Sequence, residues 1–129
     1  MKHFNIKYNG DPKWYSHVIY EIDEMYNLKN YDQITHLDLD HFSENNQDGY
    51  ITNKNTMKFD KLPKLPSSLI ELYFCYNNIS LLPDLPSTLK ELWCCNNKLS
   101  SLGDSLPALT ELWCTYNKLS SLPVFCHPL

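Results

Sequence analysis

The sequence of 129 residues is poor in glycine and contains no arginine. Its three glycines are scattered, so there is no phosphate-binding glycine loop, and neither G-x-S-x-G nor H-E-x-x-H occurs. All eleven basic residues are lysines and the net charge is −4, which argues against the basic surface that nucleic acids require. We therefore predict a protein that is not an enzyme, holds no cofactor and binds no nucleic acid.

Long apolar segments are also missing. No run of residues is apolar enough to span a bilayer, and the first ten residues, MKHFNIKYNG, lack the apolar core of a signal peptide. The five cysteines are an odd number, which fits a reducing compartment better than a disulfide framework. The expected location is intracellular and soluble, with no membrane partner.

Between Leu62 and Ser121 the chain repeats itself three times with a period of 20 residues. The copies read LPKLPSSLIELYFCYNNISL, LPDLPSTLKELWCCNNKLSS and LGDSLPALTELWCTYNKLSS, and each contains L-x-x-L-x-L-x-x-N-x-L. Such a unit cannot bury its apolar side alone and stacks on its neighbours. The predicted fold is an α/β-type repeat solenoid, a leucine-rich repeat arc with a parallel concave β-sheet. Its Leu-Pro-x-Leu-Pro segments favour an extended, polyproline-like convex side.

Residues 1–33 do not follow the repeat, and we predict an N-terminal cap made of a strand and an amphipathic helix. Lys2–Tyr8 is assigned as the strand, and Asp11-Pro12 suits the start of a helix. A separate functional domain is the alternative, but about thirty residues are too few for a core of their own. The apolar stripe of the predicted helix has spacings of four, four and three: Trp14, Val18, Ile22, Met25.

The rest of the chain divides into three parts. Residues 34–61 form a degenerate first repeat, with its strand portion at Ile34–Leu39, followed by an irregular insertion. Residues 62–121 hold the three regular repeats, and residues 122–129 are a truncated fourth repeat or C-terminal tail. Since natural proteins do not leave sheet edges bare, we expect the tail to fold over the last repeat or two copies to meet there as a homodimer.

Side chains alternate along a strand, so the residues between the core leucines face the concave surface, and parallel strands place equivalent residues about 4.8 Å apart in columns. The aromatic column either binds a partner or merely covers the sheet. The glutamate column selects a basic partner or is offset by nearby lysines, Lys90, Lys98 and Lys118. The predicted partner-binding residues are Glu71, Tyr73, Tyr76, Glu91, Trp93, Asn96, Glu111, Trp113 and Tyr116.

Other residues of the repeats are expected to be structural. Paired glutamates could serve acid–base catalysis, but no nearby histidine or nucleophile accompanies them in the sequence pattern. The repeated asparagines are predicted to bond neighbouring loop backbones, and two of the cysteines to lie in the core, whereas two others face outward and could react. The asparagines are Asn77, Asn97 and Asn117. The cysteines predicted to lie in the core are Cys94 and Cys114, and those predicted to face outward are Cys75 and Cys95.

Two weaker signals concern metal ions. Residues 44–55 resemble an EF-hand calcium loop, but Glu44 and Asn55 stand where that loop needs an aspartate and a bidentate carboxylate. A surface turn at Asp48-Gly49 explains the same residues. Cys126-His127 has no second ligand pair at matching spacing. We therefore predict no metal site.

The segment LPDLPSTLKELWCCNNKLSS resembles the short leucine-rich repeats of giant amoebal viruses of the mimivirus type and those of secreted bacterial effectors. The resemblance implies an array used for protein recognition, in a virion or host cytoplasm if the protein is viral. In the bacterial effectors the array lies beside a ubiquitin-ligase domain, for which this chain has no residues left. Other such arrays follow an F-box, and residues 1–33 contain no convincing one.

The sequence thus predicts a non-enzymatic protein–protein interaction module that recognises a basic protein partner through its concave face. Two alternatives stay open at this point. One is a structural, homodimer-forming repeat protein that associates through its open C-terminal edge, and the other is a substrate-recognition adaptor of a ubiquitin-ligase system. A truncated gene copy would have the same sequence pattern.

Overall fold

The computed structural model describes residues 2–41, 58–103 and 106–122, and these form one six-stranded sheet. The candidate calcium loop at 44–55 and the tail at 123–129, with Cys126-His127, lie outside the described residues. The strands are β1 (Lys2–Tyr8), β2 (Tyr15–Ile19), β3 (Ile34–Asp38), β4 (Glu71–Tyr73), β5 (Glu91–Trp93) and β6 (Glu111–Trp113). Their order across the sheet is β2-β1-β3-β4-β5-β6.

Strands β3 to β6 run parallel and in register, with one strand for each repeat. Leu37, Leu72 and Leu92 occupy one column of this register and are fully buried on the core side of the sheet. The strand predicted within Ile34–Leu39 is confirmed, and the long insertion that follows it does not disturb its pairing with β4.

The asparagine column stabilises the turns that follow the strands. The Asn97 amide donates to the carbonyl of Phe74 at 2.9 Å, and its oxygen accepts the backbone N–H of Ile79 at 3.0 Å. Asn77 and Asn117 make equivalent bonds to neighbouring repeats. A buried polar side chain is stable only when its groups are bonded in this way. The structural role predicted for these asparagines is therefore confirmed.

The helix predicted after Asp11-Pro12 is wrong, because the chain forms a β-hairpin there. A turn at Asn9-Gly10, with Gly10 at φ +78° and the Asp11 N–H donating to the Tyr8 carbonyl at 3.1 Å, begins the connection from β1 to β2, which spans residues 9–14. The Asp11 carboxylate, instead of capping a helix, accepts the backbone N–H of Lys13 at 2.9 Å. Residues 13–20 are rich in aromatic and β-branched side chains, which favour a strand.

The predicted strand Lys2–Tyr8 is confirmed, and it lies between β2 and β3 with antiparallel pairing on both sides. Its Phe4 and Ile6 are buried and belong to the same core as the leucines of the repeats. A register shift between Lys7 and Tyr8 places a bulge at Thr35 on the facing strand.

The described part of the chain contains two helices, both short 3₁₀ segments, at Ile22–Asn27 and Tyr31–Gln33. The first buries Ile22 and Met25, two of the residues assigned to the predicted helical stripe. No helix in the described ranges is long and apolar enough to cross a membrane. The division of the chain at residues 33, 61 and 121 stays a prediction.

Candidate functional site

One face of the sheet carries the side chains that alternate with the core leucines, and we call it the ladder face. In the repeats it consists of two columns, and the pairing of β4, β5 and β6 places the members of each column opposite one another. The first column is Glu71, Glu91 and Glu111, and the second is Tyr73, Trp93 and Trp113. The register predicted for these six residues is therefore present.

The aromatic column is a stack whose members differ in exposure. The rings of Trp93 and Trp113 are stacked with centroids 5.0 Å apart, and Tyr73 meets Trp93 edge-on at 5.2 Å. Trp93 is thus enclosed between its two neighbours, whereas Trp113 is 52% exposed. Stacking turns the faces of the inner rings toward each other, so an open ring face is found at Trp113, the end of the column.

The glutamates hold the aromatic side chains in place. Glu111 accepts the indole N–H of Trp113 at 2.7 Å. The Tyr73 hydroxyl lies against the carboxylates of both Glu71 and Glu91. Burial and these two carboxylates raise the pKa of Tyr73. Because Glu91 is turned toward Tyr73, the buried indole N–H of Trp93 has no hydrogen-bond acceptor within the described ranges.

The carboxylate column is crowded with negative charge. The pKa of Glu91 is raised, first by burial and then by the neighbouring charges of Glu71 and Glu111. The sequence left two possible offsets, nearby lysines or a basic partner, and among the described residues the contact to the column comes from His36, whose Nε2 lies 3.3 Å from Glu71. The imidazole stands at the β3 end of the column, and Glu111 is farthest from it.

Tyr76, Asn96 and Tyr116 follow the strands at equivalent positions, all with left-handed backbone, at φ values of 60°, 58° and 57°. Asparagine adopts this conformation readily, but for a bulky side chain it costs free energy. Tyr76 is 43% and Tyr116 80% exposed, so the two phenols lie at the edge of the ladder face without being required by the core.

Sequence reasoning missed the part of the ladder face that lies on β1 and β3. His36 pairs in register with Glu71, and the expectation that no histidine lies near the glutamates is therefore wrong. The Trp14 ring contacts His36 edge-on at 5.9 Å, and the ammonium of Lys7 lies 4.8 Å from the Trp14 ring. Burial, ahead of the other influences, lowers the pKa of His36. Aligning Thr-His-Leu-Asp-Leu with the repeat strands would have placed His36 in the glutamate column.

The four cysteines in the described part of the chain, Cys75, Cys94, Cys95 and Cys114, are free thiols. Cys94 is buried, as predicted, but Cys75 is only 7% exposed, so the prediction that it is accessible and could react is wrong. The Cys75 sulfur accepts the backbone N–H of Cys95 at 3.2 Å, and its own N–H donates to the Asp40 carboxylate. Burial raises the pKa of both Cys75 and Cys94, which disfavours the nucleophilic thiolate. Among the described residues, no cluster of three or more histidine, cysteine, aspartate or glutamate side chains could hold a metal ion.

Comparison with known proteins identifies the repeat but no relative. A family model described as "Leucine Rich repeats (2 copies)" matches residues 87–127, which confirms the predicted leucine-rich repeats over that range. No curated protein and no solved structure matches the chain. Leucine-rich repeats generally mediate protein–protein interaction and are typically non-enzymatic. The likeness to viral and bacterial-effector repeats stays a prediction.

Proposed function

We propose that this protein is a non-enzymatic interaction module that recognises a protein partner through the ladder face, taken as the concave face of a leucine-rich repeat arc. The observation that carries the proposal is the exposure of Trp113 and Tyr116, 52% and 80%, three residues apart at the end of β6 and in the turn that follows it. Large aromatic side chains supply much of the binding energy of protein interfaces, and soluble proteins seldom leave them exposed together without use.

The partner-binding residues divide into contacting and supporting groups. Trp113 and Tyr116 are open to a partner, whereas Trp93 is enclosed by its neighbours and the Tyr73 hydroxyl is engaged by two carboxylates. We infer that Trp93 and Tyr73 hold the exposed aromatics in position. The face is small, so affinity would rest on two or three side chains.

The glutamates make the proposed partner basic. Three carboxylates stand in one column, and within the described ranges one of them, Glu71, has an imidazole beside it, with His36 Nε2 at 3.3 Å. Burial is the first cause of the raised pKa of Glu91, and the charges of Glu71 and Glu111 add to it, so part of the shift comes from negative potential along this column. A lysine- or arginine-rich surface would lower that potential, while an acidic surface would be repelled.

One group of residues is arranged in the order of a catalytic triad, but its burial supports binding over catalysis. The Thr35 hydroxyl lies 2.8 Å from His36 Nδ1, and His36 Nε2 lies 3.3 Å from Glu71, which is the order of a nucleophile, a base and a carboxylate. Thr35 is buried at the β-bulge, however, so its hydroxyl cannot meet a substrate. We assign this group, with β1 and β2, to an N-terminal cap that covers the first repeat.

The test is capture of binding proteins from a lysate of the producing cells on the immobilised full chain. Captured proteins are identified by mass spectrometry, purified and titrated against wild type and two variants, Trp113→Ala and Tyr116→Asn. Each variant is expected to weaken binding at least about tenfold, since hot-spot side chains carry that much. The matched control is Tyr20→Ala, which removes an exposed tyrosine directly after β2, at the edge of the sheet opposite β6. Equal affinity of all four proteins would contradict the proposal.

A further inference from the structure

We propose that the outer edge of β6 receives an extended segment of the partner as an added strand, and that this segment places a lysine or arginine beside Glu111. The inference rests on the proposed function, because it presupposes a protein partner. It adds the place where the partner's backbone pairs and the chemistry of the side chain that it presents.

The backbone of the last repeat has the donors for such pairing. In each earlier repeat, two N–H groups donate to the next strand: Phe74 to Trp93 at 2.8 Å and Tyr76 to Cys95 at 2.9 Å. Strand β5 repeats the pattern toward β6, at 2.7 and 2.9 Å. The equivalent donors of the third repeat belong to Cys114 and Tyr116, and no acceptor for them lies within residues 2–41, 58–103 or 106–122. A row of unpaired backbone groups at a sheet edge is a template for strand addition.

Within the described residues, the core is also less completely covered at this edge. Leu92 and Leu99 are fully buried in the second repeat, whereas their equivalents in the third, Leu112 and Leu119, are only partly buried. An added strand with an apolar residue beside Leu112 would complete the core there, as Leu92 does for Leu72.

The opposite end of the sheet shows which side chain suits the end of the glutamate column. There, β3 pairs with β4 and places His36 beside Glu71, with Leu37 beside Leu72. At the β6 end, Glu111 has no such contact with a histidine or lysine nitrogen within 4 Å in the described part of the chain. A basic side chain would supply it, and the open ring face of Trp113 is a second attractive surface for the same cation.

A second copy of this chain fits the edge less well. Pairing through the same edge would bring a second Thr110–Trp113 segment, which contains another glutamate and no basic residue. Like charges in neighbouring strands are unfavourable. The charge of the edge therefore favours a basic segment of a different protein over self-association.

Two capped hexapeptides test the proposal on the full-length protein, by nuclear magnetic resonance and amide hydrogen exchange. Both alternate polar and apolar residues, with leucine third and tyrosine fourth, and they differ only at the second residue, arginine or glutamate. The arginine peptide at millimolar concentration is expected to shift and protect the backbone amides of Cys114 and Tyr116. It should bind about fivefold more tightly than the glutamate peptide, as expected for exposed charge pairs. Glu111→Lys should reverse the preference, and Glu21→Lys, a charge reversal away from β6, should not.

Three results would overturn the proposal. The first is equal binding, or no binding, of the two peptides. The second is full protection of the Cys114 and Tyr116 amides without peptide in dilute monomeric protein, which would mean that the chain covers its own edge. The third is protection that rises with protein concentration alongside a dimer in sedimentation, which would assign the edge to a second copy. Loss of partner binding in Trp113→Ala, together with any of these results, would leave the ladder-face proposal standing and remove strand addition alone.

Discussion

The two ends of the parallel sheet carry the same repeat pattern in different surroundings. At one end, β4 is followed by β3 and then by the antiparallel strands β1 and β2, so Leu72 is fully buried and Glu71 has His36 beside it. At the other end, Leu112 is partly buried and Trp113 is half exposed. The difference shows that a repeat residue acquires its burial and its electrostatic partner from the neighbouring strand rather than from its own repeat.

Alanine substitutions at equivalent leucines measure this difference most directly. Leu92→Ala is expected to lower the free energy of unfolding by about 3–5 kcal/mol, because Leu92 is fully buried between two neighbouring repeats. Leu112→Ala should cost only about 1–2 kcal/mol, because Leu112 has a neighbouring repeat on one side among the described residues. Urea unfolding followed by tryptophan fluorescence measures both values.

The two leucines share a strand position and differ in what surrounds them, so each is the control for the other. Equal losses of stability would mean that Leu112 is as well packed in solution as Leu92. Such a result would contradict the open end of the core and, with it, one support for strand addition at β6.

Periodicity predicted the parallel strands because a 20-residue unit leaves one solution for its leucines, which is to stack. It also identified the ladder face, since the strand's alternation decides which residues lie opposite the core. Periodicity could not predict how exposed each residue of the ladder face is. Trp93 and Trp113 have the same neighbours along the chain, yet one is enclosed and the other half exposed, because exposure depends on which strands flank them.

The N-terminal region was predicted less well for a different physical reason. Apolar residues at spacings of four, four and three fit a helix, but Asn9-Gly10 sets a tight turn and the aromatic, β-branched residues after it pair with β1. His36 was missed because the strand of the degenerate first repeat, which lacks the following asparagine, was not aligned residue by residue with the regular repeats. The pairing of β3 with β4 brings that imidazole to Glu71.

The residues with left-handed backbone allow a role in binding to be separated from a role in folding. Tyr116→Asn should raise the free energy of unfolding by about 1 kcal/mol, since asparagine tolerates φ near 57° and little packing is lost at this exposed residue. The reverse change at the equivalent position, Asn96→Tyr, should lower it by about the same amount. Thermal unfolding of the two variants gives both signs. A Tyr116→Asn protein that is less stable than wild type would show that the phenol serves the fold instead of a partner.

The smallest expected effect concerns the charge of Glu91. Its pKa is raised in the folded protein by burial and by Glu71, so folding favours the protonated carboxyl. The resulting stabilisation is fully present below the unfolded-state pKa of about 4.3 and is lost as the pH rises through the higher folded-state pKa. Glu91→Gln keeps an acceptor for the Tyr73 hydroxyl and removes the charge. It should therefore exceed wild type in stability at pH 7 by less than about 1 kcal/mol, and the difference should vanish near pH 4.

Urea unfolding across this pH range, with a carboxyl carbon titration of Glu91, checks both the size and the sign. Glu111→Gln is the control, because removing this neighbouring charge should bring the pKa of Glu91 down. A stability difference that does not change with pH would show that Glu91 acts through packing, and the negative potential proposed to attract a basic partner would lose its support.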